Sequence, residues 1–271
     1  MSESFDIIII GGGIAGTSAA LTAMNRGKRT AVIANPMESE SLYKAEKITN
    51  YPGLAGLSGR EMSELLRRQL VGSGAKLIRG RALNVMDMGG CFGVAVGNDF
   101  YEAKAVILAL GITREKLYPG EAEFLGRGVS YCATCDGMLY RGKTVALIGN
   151  NREAYDDADF LRGIGCNVLH FRDNLRYEIR GGMKADTLIA GGQEHPVDGV
   201  FIIKDSISVS KLIDGLEYEN GAIVTKRDMS TSIPGVFACG DCTGKPYQLA
   251  KAAGEGNIAA LSACEYVKEN K

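Results

Sequence analysis

Apolar runs, glycine turns and amphipathic stretches alternate along the chain, the pattern of an α/β fold with parallel strands. Residues 5–10 are continuously apolar, as befits a strand buried on both faces. Gly11-Gly12-Gly13-Ile14-Ala15-Gly16 follows at once, then an Ala-rich helix to about Arg26, closed by Gly27, and a strand over 30–34. Asn50-Tyr51-Pro52-Gly53 reads as a loop leading into a helix over 60–71. Short strands are predicted at 76–79, 82–88 and 92–96, and an apolar strand at 103–109 runs into Leu110-Gly111. After a hinge at 113–119 the pattern recurs, with a strand over 145–148, a turn at Gly149, a helix to Leu161 and Gly165, and a strand over 166–171. Strands at 176–180, 183–189 and 199–203 are joined by paired glycines. Strands at 222–225 and 236–238 precede a long helix from Gln248 to about Lys268.

The first strand–turn–helix–strand unit carries G-x-G-x-x-G in its full context. The glycines let the backbone approach a pyrophosphate seated on the helix N-terminus. The second strand ends in Ala34-Asn35 rather than an acidic residue. Asn35 either hydrogen-bonds a ribose hydroxyl or opens the turn at Pro36.

The second unit repeats the first at a constant offset of 138: Gly11 matches Gly149, Gly16 matches Ala154, Gly27 matches Gly165 and Ala34 matches Arg172. Its phosphate turn is altered. Gly13 becomes Asn151, whose side chain obstructs backbone approach, and Glu153, Asp156 and Asp157 crowd the helix start. Acids there satisfy the helix dipole and repel a phosphate. The segment from Thr144 to Lys204 is too short for six parallel strands. The expectation is therefore one domain over 1–111 and 207–271, with a smaller one over 114–204 inserted in it. Gly240-Asp241 ends a strand facing a helix N-terminus, a place suited to a cofactor hydroxyl.

Composition narrows the function. The 271 residues carry a net charge of −1 and no basic block, which argues against nucleic acid and anionic membranes as partners. The first residues are acidic and no apolar run near the start is long enough for a leader or a span, so a cytoplasmic protein is expected. Seven Cys is an odd count that favours reactive over structural thiols.

Cys132-Ala133-Thr134-Cys135 is the chemical centre. Cysteines at i and i+3 can close a small disulfide across one turn, and Asp136 places a carboxyl beside them to move protons. A zinc half-site or unpaired core thiols are the alternatives. Zinc needs two more ligands, and the chain offers His170, His195 and scattered Cys; no metal is expected. Cys239-Gly240-Asp241-Cys242 is a second C-x-x-C at a strand end, read as packing, with a joint four-Cys zinc site as the alternative. Cys91, Cys166 and Cys264 read as core or surface thiols. Arg172 either holds a 2′-phosphate or is a surface charge.

Nearly the whole chain resembles the low-molecular-weight thioredoxin reductase family. The resemblance rests on Cys132 to Gly137 followed by Tyr140-Arg141-Gly142-Lys143, on Asn50 to Gly53, and on Thr231-Ser232-Ile233-Pro234-Gly235-Val236-Phe237-Ala238-Cys239-Gly240-Asp241. It implies a two-domain, Rossmann-like FAD homodimer whose second, reduced nucleotide-binding-like domain carries the dithiol. By that resemblance Gly11, Gly13, Ile14, Ala15 and Gly16 hold the FAD pyrophosphate. Asn50 lies near the flavin, Asp241 near the ribityl chain and Gln248 near the ring. Asn35, Ala82, Ala109, Gly111, Gly240 and Tyr247 complete the cofactor site. Cys135 faces the flavin, Cys132 attacks the partner disulfide and Asp136 is the acid.

The departures from the family pattern concern the electron donor. Ser39-Glu40-Ser41 stands where the family has Gly-Gly-Gln, and Tyr247 where it has Arg. The second phosphate turn reads Gly149-Asn150-Asn151-Arg152-Glu153-Ala154, and only His170-Phe171-Arg172 remains of a His-Arg-Arg grip. This is similar to the flavin-type, ferredoxin-dependent thioredoxin reductases. The expectation is an enzyme that takes electrons from ferredoxin through FAD to Cys132–Cys135 and on to thioredoxin or a similar protein. The alternatives are an NADPH-dependent reductase with an atypical nucleotide site, a dithiol oxidase using oxygen, and a flavin redox sensor that binds partners without turnover.

Overall fold

The computed structural model describes residues 3–36, 42–43, 45–54, 56–111, 117–131, 133–172, 174–203 and 212–270, without the side chains of Cys135 and Glu153. The chain forms two compact units, Met1–Thr113 with Ser208–Lys271, and Arg114–Ile207.

In the first unit β1 (Glu3–Ile10) is flanked by β2 (Thr30–Ala34) and β6 (Asp99–Leu108), both parallel to it. β3 (Lys76–Arg79) extends the sheet beyond β2, and the antiparallel β4 (Ala82–Asp87) and β5 (Phe92–Val96) extend it beyond β6. β6 divides its length. Its first half pairs with β5 and its last residues pair in parallel with β16 (Val236–Ala238). The apolar run of β1 serves both faces: Ile7 and Ile9 join one core, Ile8 and Ile10 the other.

Helix α1 (Ile14–Asn25) and the carboxy-terminal helix α6 (Leu249–Glu269) cover the first face. Both are rich in Ala and Gly, which lets them approach closely. Ser18 donates to the Ala253 carbonyl at 2.7 Å, and a side chain on Gly256 would overlap the Ala15 carbonyl oxygen. Helix α2 (Gly59–Gly72) begins with a capping box in which Ser58 and Glu61 bond reciprocally.

The second unit has a parallel sheet in the order β7 (Val129–Ser130), β13 (Gly199–Ile202), β8 (Thr144–Ile148), β9 (Asn167–Phe171). A three-stranded antiparallel sheet, β10 (Tyr177–Gly181), β11 (Ala185–Ala190) and β12 (Gln193–Pro196), packs on one face. α3 (Glu121–Phe124) leads into the unit. The short α4 (Ala133–Asp136) and α5 (Arg152–Gly163) lie on the other face. The two-residue pair β14 (Tyr218–Glu219) and β15 (Ala222–Ile223) belongs to the first unit.

The offset of 138 holds in three dimensions. The β1–β2 register Ile10↔Ile33 recurs as Ile148↔Phe171 in β8–β9, and α1 and α5 share their bounds at that spacing. Gly11 N–H donates to Ile33 O at 2.8 Å, as Gly149 N–H does to Phe171 O at 2.9 Å.

Several bounds moved. β6 starts four residues before the apolar run because Asp99–Ala103 pairs with β5, and only 222–223 of the expected 222–225 pair. β12 was not expected: Gln-Glu-His-Pro has no apolar alternation, and it forms as an edge strand, where Pro196 is tolerated. Most of the expected hinge, and Ser39-Glu40-Ser41, lie outside the described residues.

Candidate cofactor and dithiol sites

The candidate cofactor residues gather at the carboxyl ends of four parallel strands. Gly11 to Gly16 follows β1, Asn35 follows β2, Ala109 and Gly111 follow β6, and Gly240 and Asp241 follow β16. That edge is where open parallel sheets bind nucleotides. The glycines of the turn do different work. Side chains on Gly11 and Gly16 would overlap the Ala109 and Gly11 carbonyl oxygens, so these two allow the chain to fold. Gly13 faces open space: a Cβ there meets nothing within 4 Å. As the N-cap of α1 it also lends no side-chain hydrogen bond, and the first turn holds no acid. The N–H groups of α1 are therefore not capped by a side chain of the turn.

Asn50 and Gln248, 198 residues apart, are joined by Nδ2 to Oε1 at 2.8 Å. Gln248 is the N-cap residue of α6, preceded by the 46% exposed Tyr247. Ala82 is buried in the second-face core. The Asp241 carboxylate has no hydrogen-bond partner among the described residues. Burial raises its pKa from the ordinary value, against the pull of Lys251 and with help from Glu255. A half-buried carboxylate left open in this way suits a ligand hydroxyl. Sequence reasoning missed Lys251 and Glu255, which grip the loop bearing Asp241. Their i, i+4 spacing of opposite charges on a helix was the available signal.

The second glycine turn is closed by its own side chain. Asn151, at the position of Gly13, is the N-cap of α5, and its Oδ1 accepts the Ala154 N–H at 2.8 Å. The expectation was that Asn151 would bar the backbone sterically. It does more, because it takes the N–H a phosphate would use. His170 Nε2 lies 3.1 Å from the Gly149 carbonyl, and its ring meets Tyr155 edge-on, with centroids 4.9 Å apart.

The dithiol helix α4 is seated on α5. Ala133 is fully buried in the core shared with Ala154, Ala158 and Leu161, and a Cβ on Gly137 would lie 2.9 Å from Leu161 Cδ2. Cys132 itself, and the side chain of Cys135, lie outside the described residues. Asp136 accepts a hydrogen bond from the Ser130 hydroxyl at 2.6 Å. Nothing in the sequence marked Ser130, which reaches Asp136 because β7 ends beside α4.

Cys239 and Cys242 are buried thiols. Cys242 Sγ donates toward Cys239 O at 3.2 Å, and burial pushes its pKa up to about 11 and that of Cys239 well above the thiol range. Both pack, as expected. Among the described residues no cluster of His, Cys, Asp and Glu could hold a metal. No helix among them is long and apolar enough to cross a membrane.

The family described as pyridine nucleotide-disulphide oxidoreductase matches residues 5–180 and 176–256. The chain belongs to this family. It is similar to a curated thioredoxin reductase of Treponema pallidum, 33% identical over 98% of each chain. It is also similar to the crystal structure of a ferredoxin–flavin thioredoxin reductase from Clostridium acetobutylicum, at 39% identity and a TM-score of 0.90, covering 99% of this chain and all of that one. The structure of a thioredoxin reductase from Gloeobacter violaceus gives 30% identity and a TM-score of 0.85, over 99% and 96% of the two chains. Disulphide oxidoreductases of this thioredoxin reductase type are FAD-dependent. The site described above fits FAD: an open turn at Gly13, a helix N-terminus without a side-chain cap from the turn, and an Asp241 carboxylate unpartnered among the described residues.

Proposed function

We propose that this enzyme reduces thioredoxin, or a similar small protein disulfide, with electrons from ferredoxin rather than from NADPH. The observation that carries the reading is the Asn151 cap. Of two turns built on one pattern, the first leaves its helix end open at Gly13 and the second fills it with Oδ1 of Asn151. A nicotinamide donor needs an anchor for its pyrophosphate, whereas a one-electron protein donor needs only an approach to the flavin. The likeness to the Clostridium acetobutylicum enzyme supports this reading. Arg172 is the one cation left of the family's 2′-phosphate grip at the end of β9.

Bound FAD supplies the exchange between single electrons and an electron pair. Gly13 and the first turn of α1 would hold its pyrophosphate, and Asp241 would accept from a hydroxyl of its ribityl chain. Asn35, Asn50, Ala82, Ala109, Gly111, Tyr247 and Gln248 complete this assignment. Two electrons and two protons open the Cys132–Cys135 disulfide to two thiols. The Cys132 thiolate attacks the partner disulfide, forming a mixed disulfide and releasing one partner thiolate. Cys135 then attacks the mixed bond, so the partner leaves with both thiols and Cys132–Cys135 is closed again. Asp136, steadied by Ser130, moves the proton beside the pair. The reading further takes the enzyme to be a homodimer, as the family resemblance implies, working in the cytoplasm.

The test is anaerobic mixing of the holoenzyme with stoichiometric NADPH, NADH or reduced ferredoxin, following flavin bleaching. Bleaching by ferredoxin, with thioredoxin then reduced, is expected. Fast bleaching by micromolar NADPH would refute the donor, and rapid reoxidation by oxygen with peroxide release would favour the oxidase.

A further inference from the structure

Lys251 and Glu255 stand one turn apart on α6, with side chains 16% and 17% exposed and Nζ 3.3 Å from Oε2. The Lys251 ammonium donates to Gly240 O at 2.9 Å, Thr243 Oγ1 at 2.9 Å and Gly244 O at 2.7 Å. Its three protons meet three oxygens. Glu255 Oε2 accepts the Gly240 N–H at 2.9 Å and lies 2.9 Å from the Thr243 hydroxyl. Gly240 is thus held by both of its backbone groups, one by each member of the pair, and the next residue is Asp241. A half-buried ion pair adds little net stability, because desolvation offsets attraction. What a fully satisfied polar network does confer is a single geometry.

The surroundings show which geometry matters. A Cβ on Gly240 would lie 2.9 Å from Ala15 Cβ in the first turn of α1, and Gly256 touches the same residue from α6. One stretch of α6 therefore carries Gln248, which bonds Asn50, then the grip on the Asp241 loop, then the contact with α1.

We propose that Lys251 and Glu255 are positioning residues for the cofactor, fixing Gly240 so that Asp241 meets the flavin-side half of FAD. The inference rests on the assignment of Asp241 to the ribityl chain. The adenine–pyrophosphate half would lie on the Gly13 turn, and the hydrogen bonds of Lys251 and Glu255 described above go to Gly240, Thr243 and Gly244 instead.

The test uses full-length apoprotein of the wild type, Lys251→Met, Glu255→Gln and Asp241→Asn. FAD binding is followed by flavin fluorescence, and ADP, which carries only the adenine–pyrophosphate half, is measured by competition. Each variant should weaken FAD about tenfold or more and leave ADP within about twofold. Asp241→Asn made in the Lys251→Met background should add less than it does alone, since both act through one contact. ADP binding reports that the variant has folded. Loss of both ligands in parallel, unchanged FAD affinity, or full additivity overturns the proposal. No electron donor or thioredoxin enters the measurement, so its outcome is separate from that of the donor reading.

Discussion

A side chain on Gly16 would overlap the carbonyl oxygen of Gly11, yet two residues from Gly11, at Gly13, a Cβ would meet no protein atom within 4 Å. Gly13 also has an ordinary φ of −69°. Gly16→Ala should therefore destabilise the apoprotein by roughly 1–3 kcal/mol, as overpacking does. Gly13→Ala should leave apoprotein stability level or slightly raised, but weaken FAD. Denaturant melts of apoprotein and FAD titrations separate the two effects. Equal losses of stability would mean the open turn is not a cofactor cradle.

The Asn151 cap makes a second prediction. Asn151→Ala should cost about 1 kcal/mol of stability, and Asn151→Gly only a few tenths. Neither should slow bleaching by reduced ferredoxin. A variant Asn151→Gly that bleached rapidly with micromolar NADPH would show that the cap alone excludes the nucleotide, and that the acids on α5 contribute nothing.

The thiols can be sorted by trapping. With Cys135→Ser, Cys132 should be captured in a mixed disulfide with thioredoxin. With Cys132→Ser, no adduct should accumulate. The reverse pattern would exchange the two roles. Cys239 and Cys242, buried in the first unit, should resist a thiol reagent in the native protein and react only on unfolding, and replacing both should leave exchange intact.

Cys242 also gives a pH signature. In the folded chain its thiol is pushed up to about 11, whereas in the unfolded chain it ionises near 8.5, as free cysteine does. Between those values the unfolded state releases a proton that the folded state keeps. Stability should fall there by about 1.4 kcal/mol per pH unit from this thiol alone, and Cys239 acts in the same direction. Below about pH 8 the thiol contributes no slope. Denaturant melts from pH 8 to 11 should be flatter for Cys242→Ala than for the wild type, and parallel curves would contradict the burial effect.

The fold was legible where glycine spacing and apolar runs coincide. Strands at 30–34, 76–79, 92–96 and 236–238 fell where the pattern put them: three are buried between glycine or polar breaks, and 76–79 alternates about the buried Ile78. The repeat was legible because α1 and α5 must begin at the same distance from their strands to pack. The edge strand β12 was not, since an exposed edge needs no apolar pattern. Within the site, Gly11 to Gly16, Asn50, Asp241 and Gln248 stand in motifs whose spacing is local. Ser130, Lys251 and Glu255 act through contacts made only after folding: a hydroxyl at a strand end reaching a carboxylate, and a helix gripping a loop that precedes it.

The filled turn at Asn151 works as a ratchet. On the ferredoxin reading helix α5 holds no nucleotide, but it seats α4 through Ala154, Ala158 and Leu161 and so supports the turn between the two cysteines. A change that reopened the turn would take the cap from the helix that forms that seat, while Asp156 and Asp157 would still repel an incoming phosphate. On the ferredoxin reading, the first step back toward nucleotide binding therefore removes a cap from the dithiol's support before the acids allow affinity. On that reading a helix that bears a load in place of a cargo is held in its role by the neighbour it carries.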